Sequence, residues 1–230
     1  MLQIVLKSFK DLFDKKIFFT SLIPIVIAAL FWGVVSYMFL QPISHFIAYL
    51  VSFIPFIGNS SWLQNSIEAI GGLLVYYELV VISSVVIVGI IADKIVDRVN
   101  DKYYHNAKRG FGSVAGSVMI ALKQNLIFIV LFILFLPLLF VPVLNIFVHL
   151  LLWAILIKKP NFYDSIAMYA TKEEFKKLQR SDKVKTNTLT LLSASLFLIP
   201  IVGVFVYVVQ LLMFAHFNLG RLKMLRGRGD

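Results

Sequence analysis

The chain has 230 residues, 60% of them hydrophobic and only 15% charged, with a mean hydropathy of +0.88 and a formal net charge of +10. A soluble domain of this length has no interior large enough for so much apolar surface, because ordinary usage is nearer half apolar and a quarter charged. The complete lack of cysteine excludes disulfides, thiolate metal sites and cysteine nucleophiles.

The composition is that of an integral membrane protein. Short stretches of alternating polarity are missing, which disfavours a β-barrel, so the spans are expected to be helices. The basic excess does not point to nucleic acid. All 22 Lys and Arg fall within residues 7–16, 94–123, 158–185 and 221–228, and none lies in 41–67. That asymmetry places the four basic segments, and with them both termini, on the cytoplasmic side of the membrane. There they can also meet anionic lipid heads.

Residues 1–16, "MLQIVLKSFKDLFDKK", intersperse apolar positions with Lys7, Lys10 and Lys15 and read as an amphipathic cytoplasmic helix. Residues 17–40 form the first span, too long an apolar run for a signal-peptide core, with Pro24 able to kink its start. Residues 41–66 carry no basic residue and are expected to form an external loop. The second span returns over 67–105 and extends into the cytoplasm, where Asp93, Asp97 and Asp101 share one helical face. Residues 106–116, "NAKRGFGSVAG", break that helix with three glycines.

Two uncharged runs follow, residues 124–157 and 186–220, of 34 and 35 residues. Each is too long for one crossing, which takes about 20 residues, and short for two. The basic segment 158–185 separates them. Both ends of each run therefore belong on the cytoplasmic side, and each run must turn back on itself. The turns are expected at Pro137 and Pro142 in the first run and at Pro200 and Gly203 in the second. Halving each run gives arms of about 15 residues, or about 22 Å, less than the hydrocarbon core. The expected fold is thus all-α: one membrane domain over 1–230, with two long transmembrane helices and two proline-centred re-entrant (hemi-penetrating) helical hairpins. Four tilted full crossings are the alternative. Backbone that turns at that depth must be covered by protein or line a watery cavity, which points to a homo-oligomer, a pore, or both.

Few side chains could carry chemistry. Glu78 lies near the middle of the second span, either as a group on a permeation path or as a hydrogen-bonded structural acid. His149 and His216 occupy matching places in the second arms of the two runs, where they serve a proton or anion path or simply pack. Asn145 can satisfy free carbonyls at the first turn or line a passage. Nucleophile, phosphate-loop and zinc motifs are absent, so the chain does not read as an enzyme, and no metal or other cofactor is expected.

The order of these parts resembles the family of CysZ-type sulfate permeases and etoposide-induced proteins. The resemblance is carried by "SLIPIVIAALFWG", "FLPLLFVPVLNIF", "LLLWAILIKKPNFYDSI" and "LFLIPIVGVFVYVVQLLM". It implies two long transmembrane helices with two hemi-penetrating hairpins, assembly as an oligomer, and uptake of sulfate, an inorganic anion, for sulfur assimilation. Family members hold sulfate at a Gly-aliphatic-Arg-Arg turn just before the first span. Here that place reads "KIFF", Lys16 to Phe19, so the chain is a divergent member by this measure. The anion-binding candidates that remain are Lys15, Lys16 and Ile17, where lysines stand beside the free N–H groups of a helix N-terminus. Two functions stay open. One is an anion permease or channel. The other is a non-transporting membrane protein of the same fold with an interaction or lipid-related role.

Overall fold

A computed structural model describes residues 1–52, 61–139, 141, 143–181, 183–199 and 205–227. The expected turn residues Pro142, Pro200 and Gly203 lie outside these. Among the described residues there is no strand. The helices of the described residues run in order: α1 (Leu2–Leu12), α2 (Lys15–Ser52), α3 (Ser61–Val99), α4 (Val114–Leu139), α5 (Leu144–Asp164), α6 (Lys172–Arg180), α7 (Lys183–Ala194) and α8 (Val206–Arg226). A single π-helical turn, Asn100–Tyr104, extends α3, and a 3₁₀ turn, Ser195–Leu198, extends α7. Among the described residues four stretches of helix are long and apolar enough to cross a membrane: Lys15–Met38, Tyr76–Tyr104, Val114–Leu139 and Leu144–Asp164. The chain is an all-helical membrane protein.

The helices belong to two compact units, Pro24–Ser84 and the remainder of the chain. In the smaller unit the middle of α2 meets α3. Trp32 Nε1 donates to Ser83 Oγ at 2.7 Å and Tyr76 OH donates to Ala29 O at 3.1 Å. Each bond spends the polar end of a large aromatic side chain inside apolar surroundings, where an unpaired donor is costly. Helix runs through residues 41–52 and 61–66, which take up much of the stretch between the first two spans.

In the larger unit α4 and α5 lie side by side as an antiparallel pair. Ser117, Ala121, Gln124, Asn125 and Phe128 of α4 are buried, one face at helical spacing. Met119, Leu122, Leu126, Val130, Ile133 and Leu134 are exposed on the rest of the surface, as a lipid-facing side requires. The arms of this pair are longer than the 15 residues expected from halving the uncharged run: α4 has 26 and α5 has 21. Lys123, Lys158 and Lys159 sit within the helices rather than at their ends. A charge does not stop a helix; its long stem can carry the ammonium outward while the backbone continues. Pro137 falls in the last turn of α4. The following turn places Val143 at φ 71° and ψ −51°, a conformation a β-branched residue rarely takes. The first arm of the second pair is short: α7 has 12 residues and its 3₁₀ extension four, about 26 Å together.

Helix α8 is the centre of the larger unit. Every residue from Val206 to Leu219 is buried, and α1, α5, α6 and α7 all pack against it. Two glycines are dictated by contact. The loop after the π turn lies on residues 167–169, with Gly110 N donating to Met168 O at 3.2 Å and Gly112 N to Ala167 O at 2.9 Å. A Cβ at Gly110 would stand 2.0 Å from Ala167 O, and one at Gly112 would stand 2.7 Å from the Ala167 carbonyl carbon. Closer to the membrane, Gly89 of α3 abuts Ser117 of α4, where small residues let helices approach.

Candidate functional site

The anion candidates lie in the first turn of α2. Lys15 and Lys16 are exposed and Ile17 is buried. The preceding residue, Asp14, turns its carboxylate onto this turn: Lys16 N donates to Asp14 Oδ1 at 3.1 Å, and Arg98 pairs with Oδ2 at 3.2 Å. An internal anion thus takes the place that helix N-termini offer to phosphate or sulfate. Burial opposes the charge on Asp14, but the N–H groups of Lys16 and Ile17 and the Arg98 guanidinium outweigh it and hold the carboxyl below its ordinary range.

His216 lies on α8 in a polar hub that local sequence patterns do not reveal. Asp11, at the end of α1, is 1% exposed. Its Oδ1 accepts from Lys102 Nζ at 2.7 Å and Tyr103 OH at 2.8 Å, and its Oδ2 meets His216 Nε2 at 2.9 Å. The other ring nitrogen, Nδ1, stands 3.0 Å from Tyr104 OH, which also reaches His216 O at 3.1 Å. With Asp11 an acceptor only, the network assigns the imidazole proton to Nε2 and leaves Nδ1 to accept. The π turn makes this arrangement possible. It brings the consecutive Tyr103 and Tyr104 onto one histidine, at ring distances of 5.2 and 5.9 Å. The Tyr-Tyr pair, and an Asp among the lysines of a basic amphipathic helix, are the local signals of it in the sequence.

Asn145 and His149 form a chain at the turn of the first pair. Asn145 Nδ2 donates to Leu139 O at 2.6 Å, covering a carbonyl at the end of α4. Its Oδ1 accepts from His149 Nδ1 at 2.7 Å. The imidazole packs on Trp153 at 5.0 Å, Trp153 on Phe197 at 4.7 Å, and Phe197 on Tyr207 at 5.3 Å. This aromatic ladder ties α5 to the 3₁₀ turn and to α8.

Beyond Tyr207 lies a polar seam that the sequence reading also passed over. Asn161, Asp164 and Gln210 line a cavity of about 10 Å³, enough for about one water. Ser117 donates to Asp164, Gln210 Nε2 donates to Ser193 O at 2.9 Å, and Asn218 Nδ2 donates to Ser165 Oγ at 2.8 Å. These polar groups lie buried among helices whose outer faces are apolar, where an unpaired polar atom is costly. Glu78 belongs to the smaller unit, where it is 4% exposed. The structure therefore brings His216 together with new partners and Asn145 together with His149, and leaves Glu78 and the start of α2 as separate places.

No curated protein and no solved structure gives a significant match to the chain. A family model does, the one described as sulfate transporter CysZ/etoposide-induced protein 2.4, over residues 4–207. That match takes in the spans, the hub residues Asp11 and Tyr104 and the polar seam as far as Tyr207, so the chain belongs to the sulfate transporter CysZ/etoposide-induced protein 2.4 family.

Proposed function

We propose that the chain is a permease or channel for inorganic anions in a bacterial inner membrane, with sulfate, taken up for sulfur assimilation, as its solute. The observation that carries this reading is the family match over 204 of 230 residues, in a chain with four helices able to cross a membrane. In this reading both termini are cytoplasmic and the chain acts as a homo-oligomer. Each proline-centred pair turns within the membrane, and neighbouring copies cover the turns. Lys15, Lys16 and Ile17 receive the anion at the start of α2. Glu78, Asn145, His149 and His216 are the pathway candidates.

The position of Asp14 sharpens the expectation. Sulfate and this carboxylate compete for the same N–H groups, and lysine lacks the bidentate fork of arginine, so binding is weak in the native chain. Radiolabelled sulfate uptake into proteoliposomes, with chloride and phosphate as competitors, tests the reading. Saturable uptake is expected, with Asp14→Asn lowering the half-saturating concentration about tenfold, the effect of roughly 1.4 kcal/mol. Paired Lys15→Gln and Lys16→Gln exchanges should raise it. Uptake no greater than in protein-free vesicles overturns the transport reading and leaves the non-transporting one, which the internal carboxylate at the anion position favours.

A further inference from the structure

A separate cavity of the larger unit is lined by none of these candidate residues. It measures about 520 Å³ and opens where the beginnings of α4 and α7 meet the end of α5, under α6. Its wall is aromatic. Phe175 of α6 makes edge contacts with Phe111 at 5.3 Å and Phe162 at 5.1 Å. Its rim is cationic: Lys158, Lys159 and Lys183 line it, and among the described residues no carboxylate does. Lys158 is held in place by donating to Asn187 Oδ1 at 2.7 Å, a bond that also joins α5 to α7.

We infer that this cavity is a binding site for one anionic phospholipid, its phosphodiester among the three lysines and the first part of an acyl chain along the phenylalanines. Charge complementarity carries the choice of ligand. Three cations with no carboxylate among the described lining residues call for an anion, and the aromatic wall calls for an apolar body attached to it. A free inorganic anion would leave the wall unused, and a zwitterionic lipid would bring a cation to the lysine rim. The location agrees. Lys158 and Lys159 stand in the last two turns of α5, a helix long enough to span the hydrocarbon, and so at headgroup depth. A lipid seated there would bridge α5, α6 and α7, which otherwise meet at this point through few polar bonds.

Protein stripped of lipid in non-ionic detergent tests the inference. Native mass spectrometry and the thermal unfolding midpoint are read with four additions: phosphatidylglycerol, phosphatidylcholine with the same chains, inorganic phosphate, and a hexaglutamate peptide. Phosphatidylglycerol alone is expected to remain bound and to raise the midpoint. Exchange of Lys158, Lys159 and Lys183 for Gln should weaken it about a hundredfold, since each surface lysine contributes about fivefold to attraction for anionic lipid. Exchange of Lys172, Lys176 and Lys177 on α6 for Gln removes the same charge away from the cavity and should change nothing. Phe111→Ser should weaken the long-chain lipid while leaving a short-chain analogue unaffected. Equal loss in both triple variants would mean general attraction to charge and overturn the site. Equal protection by phosphate or by the peptide would replace the lipid with a free anion or an acidic protein segment, and equal binding of phosphatidylcholine would overturn the role of the lysines.

Discussion

Arg226 shows how much of the basic excess is structural. Its guanidinium pairs with both Glu174 carboxylate oxygens, at 2.9 and 3.0 Å, and donates to Tyr169 O at 2.8 Å and Ala107 O at 3.1 Å. Glu174 in turn closes a capping box, accepting from Thr171 N at 2.8 Å while Thr171 Oγ1 accepts from Glu174 N at 3.2 Å. The Arg226 hydrogen bonds hold the Glu174 carboxyl below the ordinary glutamate range, against the opposing effect of burial. A lowered folded-state value means that the unfolded chain takes up the proton first. The stabilisation is therefore complete above the ordinary glutamate value and fades as pH falls through the lowered one. Glu174→Gln should cost about 1 kcal/mol at neutral pH. The cost should shrink towards zero on acidification, read as the difference in thermal midpoint between variant and wild type from pH 7 to pH 3. A difference that stays constant over that range would show that the charge of Glu174 is not what matters. Arg221 is used in the same structural way. It is buried under Phe217 and donates to Leu178 O and Ser181 O at the end of α6, the negative end of a helix dipole.

At the scale of elements, α1 is a strap. Ser8, Asp11 and Leu12 of this amphipathic helix are buried, and the helix packs on α8. Removing Asp11 would leave the His216 Nε2 proton facing a buried gap, while the half-exposed Lys102 ammonium would turn to solvent, a loss on the order of 2 kcal/mol. Asp11→Ala should accordingly raise amide hydrogen exchange in residues 2–12 well above that of α8; unchanged exchange there would dismiss the strap. That association was illegible in the sequence because it joins positions 205 apart, and periodicity reports only on neighbours. The Asn145 bond to Leu139 O was legible for the opposite reason, its partner being six residues away across a turn. All-helical character was legible too, because lipid leaves the backbone no other open arrangement. The ends of α4 and α5 were not, since lysine runs were read as boundaries and a lysine stem can lie along a continuing helix.

For the whole molecule the charge map makes the sharpest claim. If basic segments face the cytoplasm, a cysteine introduced at Asn59 should react with an impermeant thiol reagent on intact cells, and one at Lys172 should react only after lysis. Labelling at Lys172 in intact cells would reverse the orientation. The chain contains no native cysteine, so the experiment needs no background removal. Glu78 lies in the smaller unit and His216 in the larger. A permeation role for both would require the two units to act on the same solute, and exchange of either residue should then alter the same sulfate flux.

The enclosure of α8 has a consequence for how the chain is made. Synthesis delivers α1 and the long helices α2 to α5 well before α8, yet α8 supplies the surface on which α1, α5, α6 and α7 settle. Gln210, His216, Asn218 and Arg221 make it a poor candidate to wait alone in lipid. The earlier helices must therefore remain loosely associated in the bilayer, with Asp11 still hydrated, until α8 arrives and the bundle closes around it. A ribosome stalled before residue 206 would leave a chain that is inserted but unassembled, a natural substrate for membrane quality control.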